Sequence, residues 1–66
     1  MSKLLLNKEI YHFTNIEAAI YDFQDCATIT VAEQEQQFIL NFSNSRADEE
    51  LTIKEFENYV IGLENL

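Results

Sequence analysis

The chain has no proline, no tryptophan, one glycine and one cysteine among its 66 residues. A lone cysteine, Cys26, excludes an internal disulfide and a cysteine-based zinc cluster. A lone glycine, Gly62, argues against a nucleotide cradle, because such loops use glycines to bring backbone amides onto phosphate. No G-x-S-x-G, H-E-x-x-H or EF-hand spacing occurs. Cations are scarce as well. Four Lys and Arg against twelve Asp and Glu give a net charge of −8 at pH 7. Nucleic-acid affinity depends on cations that neutralise phosphates, so direct DNA or RNA binding is disfavoured. Attachment to an anionic membrane is disfavoured for the same reason. Apolar runs such as Leu4-Leu5-Leu6 are far short of the roughly 20 residues that a membrane span needs. No signal-peptide core precedes Asn7-Lys8-Glu9. These absences lead to the expectation of a soluble, cytoplasmic protein.

What is present is a folding sequence: 47% of residues are hydrophobic and 24% charged. No linker, repeat or low-complexity stretch divides it, so residues 1–66 are expected to form a single domain. A chain this short buries only about 60% of its unfolded surface, and its core must be thin.

Leu4, Leu6, Ile10 and Tyr11 predict a first strand over Lys3–Asn7, extendable to Tyr11. Thr14-x-x-Glu17 is a capping box and predicts a helix start. Ile16, Ala19, Ile20 and Phe23 follow at i, i+3, i+4 and i+7, a single buried stripe, with the helix ending near Asp25. Ala27–Ala32 alternates, with Ala27, Ile29 and Val31 on one side and Thr28 and Thr30 on the other. Gln37–Phe42 alternates again, with Phe38, Leu40 and Phe42 inward, and the polar Glu33-Gln34-Glu35 makes the pair a hairpin. Ser43–Asp48 reads as a loop. Thr52-x-x-Glu55 is a second capping box, preceded by Asp48-Glu49-Glu50, whose charges suit a helix N-terminus. Phe56, Tyr59, Val60 and Leu63 form its stripe, with Leu51 and Ile53 packing at its start.

The expected fold is therefore α+β: a small antiparallel three-stranded sheet with two helices on one face, in the order β-α-β-β-α. This is a ferredoxin-like pattern without its last strand. The first strand would lie beside the third, and the place of the missing strand, beside the first, would be an open edge.

Chemistry by this chain alone is not expected. Cys26 and His12 could form a nucleophile pair only if adjacent, yet they flank the first helix at opposite ends. Cys26 reads as a small buried apolar residue and His12 as a surface residue before the helix. The carboxylate pairs Asp22/Asp25 and Glu55/Glu57 read as solvated faces, since a chain this small has little room for a cleft that would displace their pKa values. Asp48, Glu49 and Glu50 lack the spaced oxygens of a metal site. No catalytic, cofactor-binding or metal-ligating residue is assigned. The expected site is instead the open edge, Leu4, Leu5 and Leu6 with Tyr11 nearby, which invites a partner strand or a second copy of the chain. Tyr11, Tyr21 and Tyr59 are candidate interface anchors, with the core the better place for Tyr59.

Leu4-x-Leu6-Asn7-Lys8-Glu9-Ile10-Tyr11, then Ile16-Glu17-Ala18-Ala19-Ile20-Tyr21-Asp22-Phe23, resembles the small HxsD-like proteins of bacterial His-Xaa-Ser peptide-modification systems. The closing Glu55-Phe56-Glu57-Asn58-Tyr59-Val60-Ile61-Gly62-Leu63 is similar too, so the resemblance covers about residues 4–63. It implies an accessory or peptide-handling subunit beside a radical S-adenosylmethionine maturase. Its partner would be that maturase or its peptide substrate, and the iron–sulfur chemistry would stay with the maturase. A different reading follows from charge alone. Six acids fall between Glu9 and Glu35 with no Lys or Arg among them, and residues 47–66 hold six more acids against one base. Such a chain could mimic nucleic acid and block an enzyme that binds it.

Overall fold

A computed structural model describes residues 2–66. It contains β1 (Ser2–Asn7), α1 (Phe13–Asp22), β2 (Thr28–Glu33), β3 (Gln37–Ser43) and α2 (Glu49–Glu64). The sheet order is β1-β3-β2, with both pairings antiparallel. β1 and β2 therefore run parallel to each other on either side of β3, and α1 makes the crossover between them. This is the α+β arrangement that the alternating patterns predict.

Side chains alternate across the sheet because the strand period is two. Leu6, Phe38, Leu40 and Phe42 turn to one face and are buried with Ile16, Ala19, Ala27, Phe56 and Val60 in a single core. Leu4, Ile29 and Val31 pack on its margin. The other face carries Lys3, Leu5, Asn7, Thr28, Thr30 and Ala32, all exposed. No helix covers it.

Phe56 sits where the layers meet. Its ring lies 5.3 Å from Phe42 on β3 at 84°, and 5.3 Å from Phe23, just past α1, at 79°. Edge-to-face geometry places the positive rim of one ring on the negative face of another, a favourable arrangement beyond simple burial. One side chain thus joins α2 to the sheet and to the end of α1.

Both helix starts differ from the capping boxes. α1 begins at Phe13, and its N-cap is His12, whose side chain makes no cap bond. The Thr14 box is not used because the cap comes from elsewhere: Glu64, at the far end of α2, accepts the His12 N–H at 2.7 Å. α2 begins at Glu49 with Asp48 as N-cap, its side chain accepting from the Glu50 N–H at 3.1 Å. Asp is a stronger N-cap than Thr, which moves the start upstream of Thr52. Thr52 becomes an interior residue, 5% exposed, and its hydroxyl donates to the Asp48 carbonyl.

The element ends shift for local reasons. The Gln24 N–H bonds Tyr21 O and the Cys26 N–H bonds Phe23 O. These i→i+3 bonds tighten the chain, so α1 stops at Asp22 rather than near Asp25. Ala27 is buried but precedes β2. Cys26 is exposed, not buried as expected, because the turn hands the inward position to its neighbour Ala27. β1 stops at Asn7 instead of extending to Tyr11, since Asn7 O accepts the Ile10 and Tyr11 N–H groups in a turn. Within the predicted loop, Asn44 takes a left-handed φ of 52°, which Asn tolerates better than most residues. In α2 the buried stripe is Thr52, Phe56 and Val60. Ile53 and Leu63 pack beside it, but Leu51 is 54% exposed and Tyr59 sits at its border, 40% exposed.

Phe56→Ala should cost about 3–5 kcal/mol. At roughly 0.05–0.15 kcal/mol per residue that is about a third or more of the stability expected, so urea titration should show the midpoint moved far toward zero denaturant. Gly62 lies in α2 with nothing within 4 Å of the position a Cβ would take. Gly62→Ala should therefore stabilise by about 0.5–1 kcal/mol, read from the same titration as a higher midpoint.

Candidate functional site

The candidate site is the free edge of β1. Which of its groups are free follows from the register. β1 and β3 pair Ser2 with Phe42, Leu4 with Leu40 and Leu6 with Phe38. The Lys8 N–H donates to Gln36 O at 3.0 Å, one step further along the same series. In an antiparallel ladder, residue pairs that exchange hydrogen bonds alternate with pairs that do not. Ser2, Leu4 and Leu6 therefore turn their backbone groups to β3. Lys3, Leu5 and Asn7 turn theirs outward. Asn7 O is spent on the turn that follows. The edge thus offers the N–H groups of Lys3, Leu5 and Asn7 and the carbonyls of Lys3 and Leu5.

The four residues expected at this edge have different roles. Leu6 is 1% exposed and belongs to the core, while Leu4 packs against it. Both spend their backbone groups on β3. Leu5 alone presents its backbone to the edge, and its side chain is 55% exposed on the open face. Tyr11 is half-buried beyond the strand end, packed against the core. Lys3 and Asn7 turn their backbone the same way as Leu5; apolar content marked the edge in sequence, and backbone direction does not depend on side-chain type.

β2 is also an outer strand. Its ladder has the opposite phase: the Gln34 N–H donates to Gln37 O, so Thr28, Thr30 and Ala32 face β3, and Ile29, Val31 and Glu33 turn outward. β3 accordingly serves β1 with its even-numbered residues and β2 with its odd ones.

The side of α2 nearest β1 is acidic, tied at its start to β1 and at its end to the N-cap of α1. The Ser2 hydroxyl donates to Glu49 Oε2 at 2.7 Å, and Ser45 donates to Glu49 Oε1 at 3.1 Å. The Ser2 bond is the chief reason the Glu49 carboxyl lies below its ordinary range. At the other end Glu64 accepts from the His12 N–H and meets His12 Nδ1 at 2.7 Å. The Glu64 side chain is 12% exposed. The backbone bond of His12, with further bonds from Asn15 and the His12 ring, pulls its pKa from an ordinary 4.5 to about 2. Tyr11 lies between: burial, then the charges of Glu57 and Glu64, push its hydroxyl pKa up.

Two other contacts brace the frame. Lys8 Nζ reaches Glu33 Oε2 at 2.5 Å and lies 5.3 Å from the centre of the Phe38 ring, clasping the ends of β1 and β2 over β3. The Tyr59 hydroxyl donates to Asp22 Oδ2 at 2.5 Å, joining α2 to the end of α1. That bond, followed by burial, raises the Tyr59 pKa.

His12 and Cys26 stand at the two ends of α1 and are not brought together. Cys26 lines a hollow of about 150 Å³ with Phe23, Arg46 and Glu55 among its walls. Among the described residues no group of three or more His, Cys, Asp and Glu is placed to hold a metal ion. No described helix is long and apolar enough to cross a membrane.

The family model for HxsD, His-Xaa-Ser system protein HxsD, matches residues 6–64. The chain belongs to the HxsD family. The match runs from Leu6, near the end of β1, to Glu64, the last residue of α2, and so takes in α1, β2, β3 and α2 but not Ser2–Leu5 of β1. No match was found among curated proteins or among solved structures.

The depressed Glu64 pKa makes a signed prediction. A carboxyl whose folded pKa is below its unfolded one stabilises the fold above the unfolded value, and that stabilisation is lost as pH falls through the folded value. Thermal melts should show Glu64→Gln melting lower than wild type near neutral pH. The gap should close between about pH 4.5 and about 2, the ordinary and folded values. Parallel curves across that range would remove Glu64 from this role.

Proposed function

We propose that this HxsD-family chain is a non-catalytic accessory protein that takes an extended segment of a partner as a fourth strand on β1. The partner is the radical S-adenosylmethionine maturase of a His-Xaa-Ser system, or the peptide that the maturase modifies. The observation that supports this best is the outward set of backbone groups on Lys3, Leu5 and Asn7. Main-chain hydrogen bonds supply the affinity in strand addition, and alternate side-chain positions supply the specificity. Leu4 and Leu6, anchored in the core, hold those groups in line.

Support for a non-catalytic role comes from the titratable groups. A carboxyl that serves as a general acid at neutral pH needs a raised pKa. The shifted carboxyls, Glu49 and Glu64, are both lowered, and each is engaged in holding the fold.

A proline at Leu5 tests the edge selectively, because the N–H it removes points outward rather than to β3. Leu5→Pro should stay folded by circular dichroism. Leu6→Pro removes a ladder bond and a core side chain, and should unfold. In pull-downs from the native host, wild type should bring down a radical S-adenosylmethionine enzyme or a short peptide, identified by mass spectrometry, and Leu5→Pro should not. Equal recovery by both would sink the strand-addition mechanism. Recovery of a nuclease or another DNA-binding protein, released by high salt, would instead identify the chain as an acidic nucleic-acid mimic.

A further inference from the structure

Resting on the strand-addition reading, we infer that the segment β1 receives is basic: an extended stretch in which Lys or Arg residues flank an apolar one. A strand beside β1 would lie along the flank of α2 that faces β1. Ser2–Glu49 at one end, and Tyr11 and His12 against Glu57 and Glu64 at the other, show which flank that is. At 3.6 residues per turn, Glu50, Ile53, Glu57, Ile61 and Glu64 fall within an arc of about 80° there. Glu64 is occupied by His12. Glu50 and Glu57 form no ion pair with any described cation. They stand about 10 Å apart along the helix axis at 1.5 Å per residue.

The strand period turns this flank into a pattern. The residue opposite Leu5 would share its open face, extending the apolar row that Leu5 already makes with Ile39 and Ala32 through the register. Its two neighbours would turn toward α2, roughly 7 Å apart, within reach of Glu50 and Glu57 for side chains as long as Lys or Arg. Their aliphatic stems would cover Ile53 and Ile61, with the charged ends at the carboxylates. Lys3 does not compete, since it projects to the open face. The same charges argue against a second copy as the occupant. Another chain of net charge −8, paired through its own β1, would bring its α2 glutamates against these.

The test uses the full chain, made by chemical synthesis so that single backbone atoms can be changed. Three labelled nonapeptides serve as probes, alternating Val with Lys, with Gln or with Glu, and binding is read by fluorescence anisotropy. The Lys probe should bind, and should weaken about five-fold with E50Q and E57Q together, the effect of two exposed ion pairs. The Gln probe should bind more weakly and ignore those substitutions, and the Glu probe should not bind. N-methylation of Leu5, which blocks one outward N–H and leaves the ladder to β3 intact, should abolish binding of the Lys probe. If the Gln probe binds as tightly as the Lys probe, the basic pattern is wrong while strand addition survives. If the Lys probe binds regardless of N-methylation, contact is by charge alone and strand addition fails with it. If no probe binds, the basic pattern is overturned, and the Leu5→Pro pull-down alone decides whether the edge is used.

Discussion

Phe56 is the contact on which the rest of the molecule depends. A 66-residue chain has little apolar area to divide between layers, and here one ring is packed edge-to-face against Phe42 on the sheet and Phe23 beyond α1. Without it, α2 would have only Val60, Thr52, Ile53 and Leu63 to pack it on the core. The position of α2 in turn sets the site. It carries Glu49 to Ser2 and Glu64 to His12, and so sets the wall beside the free edge of β1. The aromatic contact and the edge are some distance apart in sequence, yet the second exists in its present form because of the first.

Much of this frame was legible in the residues. Period-two alternation in Ala27–Ala32 and Gln37–Phe42 identified the hairpin and the inward set Phe38, Leu40 and Phe42. The stripe Ile16, Ala19, Ile20 and Phe23 identified α1. Helix starts were less legible, because a capping box is a local signal and caps can come from afar. Glu64 caps α1 across 52 positions, a relation that appears only once α2 is docked. Asp48 displaced Thr52 because two good caps four residues apart compete, and tertiary packing chose the one that leaves Thr52 inside. Cys26 was placed inside on the habits of its residue type. The turn after α1 overruled them.

The edge itself was half legible. Sequence placed it at the first strand through the missing fourth element, but named Leu4 and Leu6, whose backbone groups are already taken by β3. Which residues are free depends on the phase of the ladder, and that phase is set by the Lys8–Gln36 bond at the mouth of the strand pair. A side-chain pattern contains the period of a strand but not which neighbour each peptide unit addresses.

The alternation on β3 has a consequence for how this chain can vary through evolution. Its even-numbered residues serve β1 and fill the core, and its odd-numbered ones serve β2 and line the open face. A single-residue insertion inside β3 would therefore reverse two assignments together, exchanging partners and faces for every residue beyond it. Point substitutions can accumulate along β3 one at a time; changes of length cannot. Length variation in related chains belongs at the exposed hairpin tip around Glu35, between the Gln34–Gln37 and Lys8–Gln36 bonds that hold the two ladders.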